Sequence, residues 1–242
     1  MQFEDNYSSH ISQQFNDDLE KIRTALLTMG GIVERQVNDA VESLATGDAQ
    51  MAEEARRVDA LTNDMEVDID EQCTTIIALR QPAAKDLRLI IAINKAASDL
   101  ERIGDEACKI CRHSIDLAEE FEAGRGYMEV RHIGNLVCEM VKDVLTAFAR
   151  NDVKLAYKVA KMDAAVDHEY RSAMRLLATY MMEDPRAITR TLNVIWALRS
   201  LERIGDHACN MSEHLIYMVS GQNVRHSSLQ ELKEAADQSE QA

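Results

Sequence analysis

A nine-residue segment occurs twice in this chain, and this duplication limits the possible folds more than any other feature. Residues 100–108 read LERIGDEAC and residues 201–209 read LERIGDHAC, so the two copies differ only at their seventh position. A match of this length indicates an internal duplication with a period of about one hundred residues. We therefore expect two halves of the same fold, each large enough to bury a hydrophobic core.

The composition favours long helices in both halves. The 242 residues include only 2 Pro and 9 Gly, and aromatic residues make up 5% of the chain. Apolar residues recur with the spacing of about 3.6 that is typical of amphipathic helices. Together with the turn signals, this spacing predicts six long antiparallel helices, at residues 9–45, 49–80, 82–120, 127–150, 153–182 and 185–219.

The predicted turns repeat as the helices do. Gly47-Asp48 and Asn151-Asp152 each place a residue that tolerates the left-handed conformation before an N-cap aspartate. The predicted fold class is all-α, a tandem duplication of two three-helix bundles. We place the bundles at residues 8–122 and 127–221, with the glycine-rich segment 124–126 between them, and expect the polar tail 222–242 to be disordered.

The charge of the chain opposes two classes of partner. The sequence has 27 Lys and Arg against 42 Asp and Glu, a formal net charge of −15, which disfavours nucleic acids and anionic membranes. The start MQFED lacks the features of a signal peptide, and no run of about 18 apolar residues occurs. Five cysteines without a secretory signal favour reduced thiols. We therefore expect a cytoplasmic protein with no direct membrane insertion.

Each copy of the repeated segment carries a Glu and an Asp four residues apart, on one helix face and outside the predicted core. The second and fifth helices carry aspartates on stripes that can face these pairs. On these stripes the second helix carries Asp59, Glu66 and Asp70, which can face Glu101 and Asp105, and the fifth helix carries Asp163 and Asp167, which can face Glu202 and Asp206. Oxygen-rich clusters suit Mg²⁺, Ca²⁺, Mn²⁺ or iron. The alternative is that these acids are simply solvated helix faces.

At these residues the sequence resembles the PhoU family of phosphate-uptake regulators. The matching features are the doubled segment, the 80–82 turn followed by Asp86-Leu87-Arg88, and Asp59 and Asp163 ahead of the two copies. The resemblance covers about residues 8–221. It implies a negative regulator that links the ATPase subunit of a phosphate ABC transporter to a membrane sensor histidine kinase, and that forms a homodimer.

The resemblance also implies metal clusters, with Mg, Mn, Fe, Zn and Ca all open as the ion. The implied ligands are Asp59, Glu101 and Asp105 in the first half and Asp163, Asp167, Glu202 and Asp206 in the second. The chain departs from the family pattern at Asn63, where the first half would have an acid. This departure makes the first cluster the weaker of the two. Glu66 or Asp70 is a candidate to replace the missing carboxylate.

Two functions follow from these observations, a non-enzymatic adaptor and a carboxylate-bridged metalloenzyme in a helical bundle. The sequence has no Gly-rich phosphate loop, G-x-S-x-G or H-E-x-x-H motif, so no catalytic or organic-cofactor residue is predicted. An oxidase of this kind buries its ligands inside the bundle, whereas these acids are predicted outside the core. The adaptor is therefore favoured. Trp196 is predicted off the core side of its helix, either as a contact for another chain or partly packed.

Overall fold

The computed structural model describes residues 2–118, 128–224 and 229–239. Within them the chain forms eight α-helices and one 3₁₀ turn, with no β-strand. The elements are α1 (Gln2–Thr46), α2 (Ala49–Arg56), α3 (Asp59–Arg80), α4 (Ala84–Ala118), α5 (Met128–Arg150), α6 (Val153–Glu183), the 3₁₀ turn (Pro185–Ala187), α7 (Ile188–Ser220) and α8 (Leu229–Ser239). The all-α prediction is confirmed. The proposed boundary at 124–126 lies outside the described residues.

The turns that open the second helix of each half have the predicted geometry. Gly47 and Asn151 both adopt positive φ, at 74° and 53°. Asp48 and Asp152 then cap the next helix, because their side chains accept the amides of Met51 and Leu155 at 3.0 and 2.9 Å.

The predicted second helix is two helices in the structure. The amides of Arg57 and Val58 bond to carbonyls three residues earlier, at 3.2 and 3.4 Å, so the chain tightens into a 3₁₀-like turn between α2 and α3. The matching helix of the second half, α6, is unbroken. As a result Asp59 is the first residue of α3, where unpaired amides and the helix dipole favour a carboxylate.

The two halves pack against each other through equivalent positions and share one continuous core. A Cβ atom on Gly30 would meet Leu145, and a Cβ atom on Gly134 would lie 2.5 Å from Val41 Cγ1. The pairs Gly30–Leu145 and Gly134–Val41 are equivalent, because the two glycines, and likewise Val41 and Leu145, are 104 residues apart. The Gly47 and Asn151 turns have the same offset. Helices α1 and α5 are therefore in close contact around an approximate two-fold axis. Of the adjacent glycines Gly30 and Gly31, only Gly30 serves this helix contact, since a Cβ at Gly31 would meet nothing within 4 Å.

The tail differs from its prediction. Helix α8 packs on α6 and α7, and its Leu232 and Ala235 are buried. The expectation of disorder is wrong for 229–239, because two apolar residues three positions apart give the helix a face that can pack. In the described part of the chain, no helix has the length and apolarity needed to cross a bilayer.

Candidate functional site

The first carboxylate cluster lies where α3 and α4 meet. Glu101 and Asp105 are half-buried on α4, with Asp59 at the start of α3 beside them. The pKa of Glu101 is raised, chiefly by burial and then by the charge of Asp105, with smaller effects from Glu66 and Asp59. Arg102 offsets part of this effect. The predicted acids of the first half therefore interact, and they lie outside the core as expected.

The second cluster has the same construction on α6 and α7. Burial, followed by the charges of Asp206, Asp167 and Glu202, raises the pKa of Asp163 to about 6. Burial is also the main reason why the pKa values of Glu202 and Asp206 are raised, with repulsion between these two next for Glu202. All four predicted acids of this half therefore affect one another. Repulsion of this kind is what bound cations would relieve.

The glycine of each repeated segment allows the helices to approach at the cluster. An added Cβ on Gly104 would lie 3.9 Å from Asp59 Oδ1, and one on Gly205 would lie 3.8 Å from Asp163 Oδ1. The aspartate of the facing helix therefore lies over the same glycine in both halves. This equivalence supports the sequence-based pairing of Asp59 with Asp163.

Arginines neutralise part of each cluster. Arg102 lies 3.4 Å from Glu101 and 3.8 Å from Asp105, and Arg171 forms an ion pair with Asp167. These pairs involve partly exposed side chains, so each contributes little to stability in water. They also show that a cation arriving at either cluster would have to compete with a guanidinium group.

The donors fit a hard metal cation in kind. Asp59 Oδ1 and Glu202 Oε2 are buried atoms without a hydrogen-bond partner, which is an unfavourable state for a carboxylate oxygen. Among the described residues, however, no three His, Cys, Asp or Glu side chains are arranged to hold one ion. The carboxylates would therefore have to turn toward a common point for an ion to bind.

The departure at Asn63 has a structural counterpart. Asn63 is exposed, and Glu66 lies close enough to Glu101 to raise its pKa. Asp70 instead accepts a hydrogen bond from Asn94 Nδ2 at 2.7 Å. Of the two candidates for the missing carboxylate, Glu66 is therefore the one that belongs to the first cluster.

Sequence analysis missed the polar contacts that join the two halves. Asp99 on α4 contacts two histidines of α7. Its Oδ1 lies 2.9 Å from His207 Nδ1, and its Oδ2 lies 3.0 Å from His214 Nε2. Burial alone would raise the pKa of Asp99, but its hydrogen bonds to the two histidines hold that pKa below the ordinary value. The only sequence feature that could have indicated this contact is that Asp99 is a charged residue beside the apolar positions of α4. Its partners could not be inferred, because they lie over one hundred residues away.

The fold and its two clusters define a class of protein, a tandem helical repeat with equivalent acidic clusters on its outer face. A family model described as PhoU domain matches the chain twice, at residues 26–114 and 130–215. The chain belongs to the PhoU family, in which the matched relatives are phosphate-specific transport system accessory proteins.

The relatives match over nearly their whole length. The chain is 58% identical to the phosphate-specific transport system accessory protein PhoU homolog of Pseudomonas aeruginosa, over 96% of both chains. It is 44% identical to the accessory protein PhoU of Escherichia coli, over 91% of both.

Two crystal structures share the fold. PhoU from Pseudomonas aeruginosa superimposes with a TM-score of 0.84 at 60% identity, covering 86% of this chain and 100% of that one. The phosphate transport system regulatory protein PhoU from Streptococcus pneumoniae gives 0.80 at 28% identity, covering 87% and 99%. The chain is thus similar to phosphate transport accessory and regulatory proteins.

Proposed function

We propose that this protein is a negative regulator of phosphate uptake and of the phosphate-starvation response. In this proposal it is a cytoplasmic, non-enzymatic adaptor between the ATPase subunit of a phosphate ABC transporter and a membrane sensor histidine kinase, and it acts as a homodimer. The observation that carries the proposal is the near full-length match to a phosphate-specific transport system accessory protein, at 58% identity. A match over 96% of both chains leaves little room for a different domain organisation.

The position of the acids supports an adaptor over the carboxylate-bridged metalloenzyme. Glu101 and Asp105 have side chains that are 21% and 34% exposed, and Asp206 is exposed on α7. Residues that open to solvent on the outside of a helix pair are poorly placed to exclude water from a reaction, whereas a binding or ion site needs no such exclusion. The function proposed for the clusters is therefore cation binding without catalysis.

In the metal part of the proposal, each cluster holds one or more divalent or trivalent ions, with Mg, Mn, Fe, Zn or Ca as candidates. Asp59, Glu101 and Asp105 would hold the ion in the first half. Asp163, Asp167, Glu202 and Asp206 would hold it in the second. Bound cations would neutralise the repulsion that raises the pKa of Asp163 and give the buried, unpaired oxygens a partner.

Deletion of the gene tests the regulatory role. In phosphate-rich medium the deletion strain should express phosphate-scavenging functions that the parent represses, and the plasmid-borne wild-type gene should restore repression. Unchanged repression in the deletion strain would rule out a negative regulator. Light scattering of the purified protein tests the homodimer separately, since a mass of one chain at working concentration contradicts it.

Substitution of the acids tests the metal part. Equilibrium dialysis of the purified protein against Mn²⁺ should show bound metal, and the combined Asp163→Asn and Glu202→Gln variant should lose the metal of the second cluster. An exposed acid away from both clusters, replaced as Glu139→Gln, is the matched control. Full stoichiometry in the cluster variant would discard these ligands.

A further inference from the structure

Trp196 on α7 is the only tryptophan of the chain, and its side chain is 56% exposed. Leu192 and Ile188 precede it by four and eight residues, so they share its side of the helix, and both are 41% exposed. We call these three residues the Trp196 stripe. Large exposed apolar groups, above all tryptophan, are typical of residues that dominate protein interfaces.

The stripe belongs to the second half only. The 101-residue offset of the repeated segments places Leu87, Ile91 and Lys95 at the equivalent positions of α4. None of these three is among the exposed residues, and a lysine replaces the tryptophan. The duplicated fold therefore does not require an exposed apolar stripe at this place.

Helix α4 lies next to the stripe and brings cations to it. His113 Nδ1 on α4 is 3.2 Å from Asn193 Oδ1. Asn193 directly follows Leu192 in α7. One turn earlier on α4, Lys109 is 43% exposed and pairs with buried Glu106 at 2.9 Å. Arg203 of α7 pairs with the same Glu106 at 3.2 Å. One buried carboxylate thus serves two partly exposed cations, and Arg203 also lies near Glu202 and Asp206.

Exposed arginines flank the stripe. Arg112 on α4 and Arg199 and Arg203 on α7 are all exposed. Glu202 and Asp206 lie near Arg199 and Arg203 and offset part of their charge. The Trp196 stripe therefore lies beside exposed cations on a protein whose net charge is −15.

We propose that the Trp196 stripe and the cations beside it bind an acidic, amphipathic segment of a partner protein. Apolar side chains of that segment would pack on Trp196 and Leu192, and its carboxylates would face Arg112, Arg199 and Arg203. This proposal rests on the adaptor function and assigns it a contact surface. Like the hot spots of other interfaces, the surface combines a tryptophan with arginines.

Charge argues against the two other occupants. In a two-fold symmetric contact, a second copy would place the same cations against each other. An anionic bilayer would be repelled by a protein of net charge −15. An acidic protein segment is repelled less, because it can contact the exposed arginines without bringing a large anionic surface close to the rest of the protein.

The single tryptophan allows a direct test. Full-length protein labelled with 5-fluorotryptophan gives one ¹⁹F resonance, from position 196. Addition of the purified ATPase subunit of the phosphate transporter, or of the cytosolic part of the sensor kinase, should shift or broaden that resonance. Leu192→Ser should weaken binding about tenfold, and so should raising salt from about 0.05 to about 0.5 M, because exposed charges are screened.

Leu79→Ser is the matched control, since Leu79 is 73% exposed but lies on α3 in the first half. It should leave affinity unchanged. Binding of a partner with an unchanged ¹⁹F resonance overturns this surface and leaves the adaptor function standing. Failure of both partners to bind overturns both. A change produced by phosphatidylglycerol vesicles alone, or by raising the protein concentration alone, overturns the acidic-partner assignment.

Discussion

Glu106 Oε1 and Arg203 Nε lie 3.2 Å apart and join the first copy of the repeated segment to the second. Glu106 is the seventh residue of its copy, the one position at which the copies differ. The seventh residue of the other copy, His207, also crosses between the halves, to Asp99 at 2.9 Å. The position that departs from the repeat thus meets the opposite half in both copies, and two identical side chains there would not make these two different contacts.

Removing the charge of Glu106 should destabilise the protein. The Glu106 side chain is only 4% exposed and serves two cations, Lys109 and Arg203. Glu106→Gln removes the buried anion that both cations contact, which we expect to cost about 1–2 kcal/mol. Urea unfolding measures this difference. Glu139→Gln is the control, because Glu139 is 51% exposed in its pair with Lys158 and should cost under about 1 kcal/mol. Equal losses of stability in the two variants would mean that the pair between the halves stabilises the protein no more than an exposed ion pair does.

Asp163 should make stability fall as pH rises in metal-free buffer. Its pKa is raised from 3.8 to about 6, by burial first and then by the neighbouring acids. The folded protein therefore holds a proton that the unfolded chain releases, so this stabilisation is present below about pH 4 and lost through about pH 6. Asp163→Asn should be more stable than wild type at pH 7–8 by about 1 kcal/mol, after allowance for solvent screening.

The difference between the Asp163→Asn variant and the wild type should vanish near pH 4, in chemical unfolding with EDTA present. Asp64→Asn, an exposed acid on α3, should leave the pH dependence unchanged. A constant offset between Asp163→Asn and the wild type from pH 4 to 8 would contradict the raised pKa.

Much of this fold could be predicted because its signals are local. Helical spacing and the residues at Gly47 and Asn151 determine helices and turns within a few neighbours. The break before Asp59 has no glycine or proline to announce it, so it could not be predicted. The membership of Glu66, rather than Asp70, in the first cluster depends on where α3 lies against α4. The contacts of Asp99 and Glu106 depend on how the halves are oriented, which no local pattern encodes.

Asn63→Asp should strengthen cation binding by the first cluster. The 104-residue offset puts Asn63 at the position of Asp167, so the substitution gives the first half the same acids as the second. An added carboxylate increases both ligand number and charge for a hard cation. The rise in Tm on adding Mn²⁺ should be larger for this variant than for wild type. Asn135→Asp, on an exposed part of α5, should show the wild-type rise. An unchanged rise for Asn63→Asp would separate residue 63 from the cluster.

Replacing the glycines of α1 and α5 by alanine should change stability according to which atoms the new methyl group contacts. At Gly134 it lies 2.5 Å from Val41 Cγ1. Val41 is buried and β-branched, so it cannot rotate away, and we expect a loss of about 1–3 kcal/mol. At Gly30 the methyl meets the end of the Leu145 side chain, which is longer and can adjust, so the loss should be smaller.

Gly31→Ala separates the helix contact from helix propensity. Nothing lies within 4 Å of a Cβ at Gly31, so alanine there should stabilise the protein by up to about 1 kcal/mol. Urea unfolding of the three variants should therefore give the order Gly31→Ala, wild type, Gly30→Ala, Gly134→Ala, from most to least stable. Propensity alone would stabilise all three. Only close packing of α1 on α5 at Gly30 and Gly134 reverses the sign at these two positions and not at the residue next to one of them.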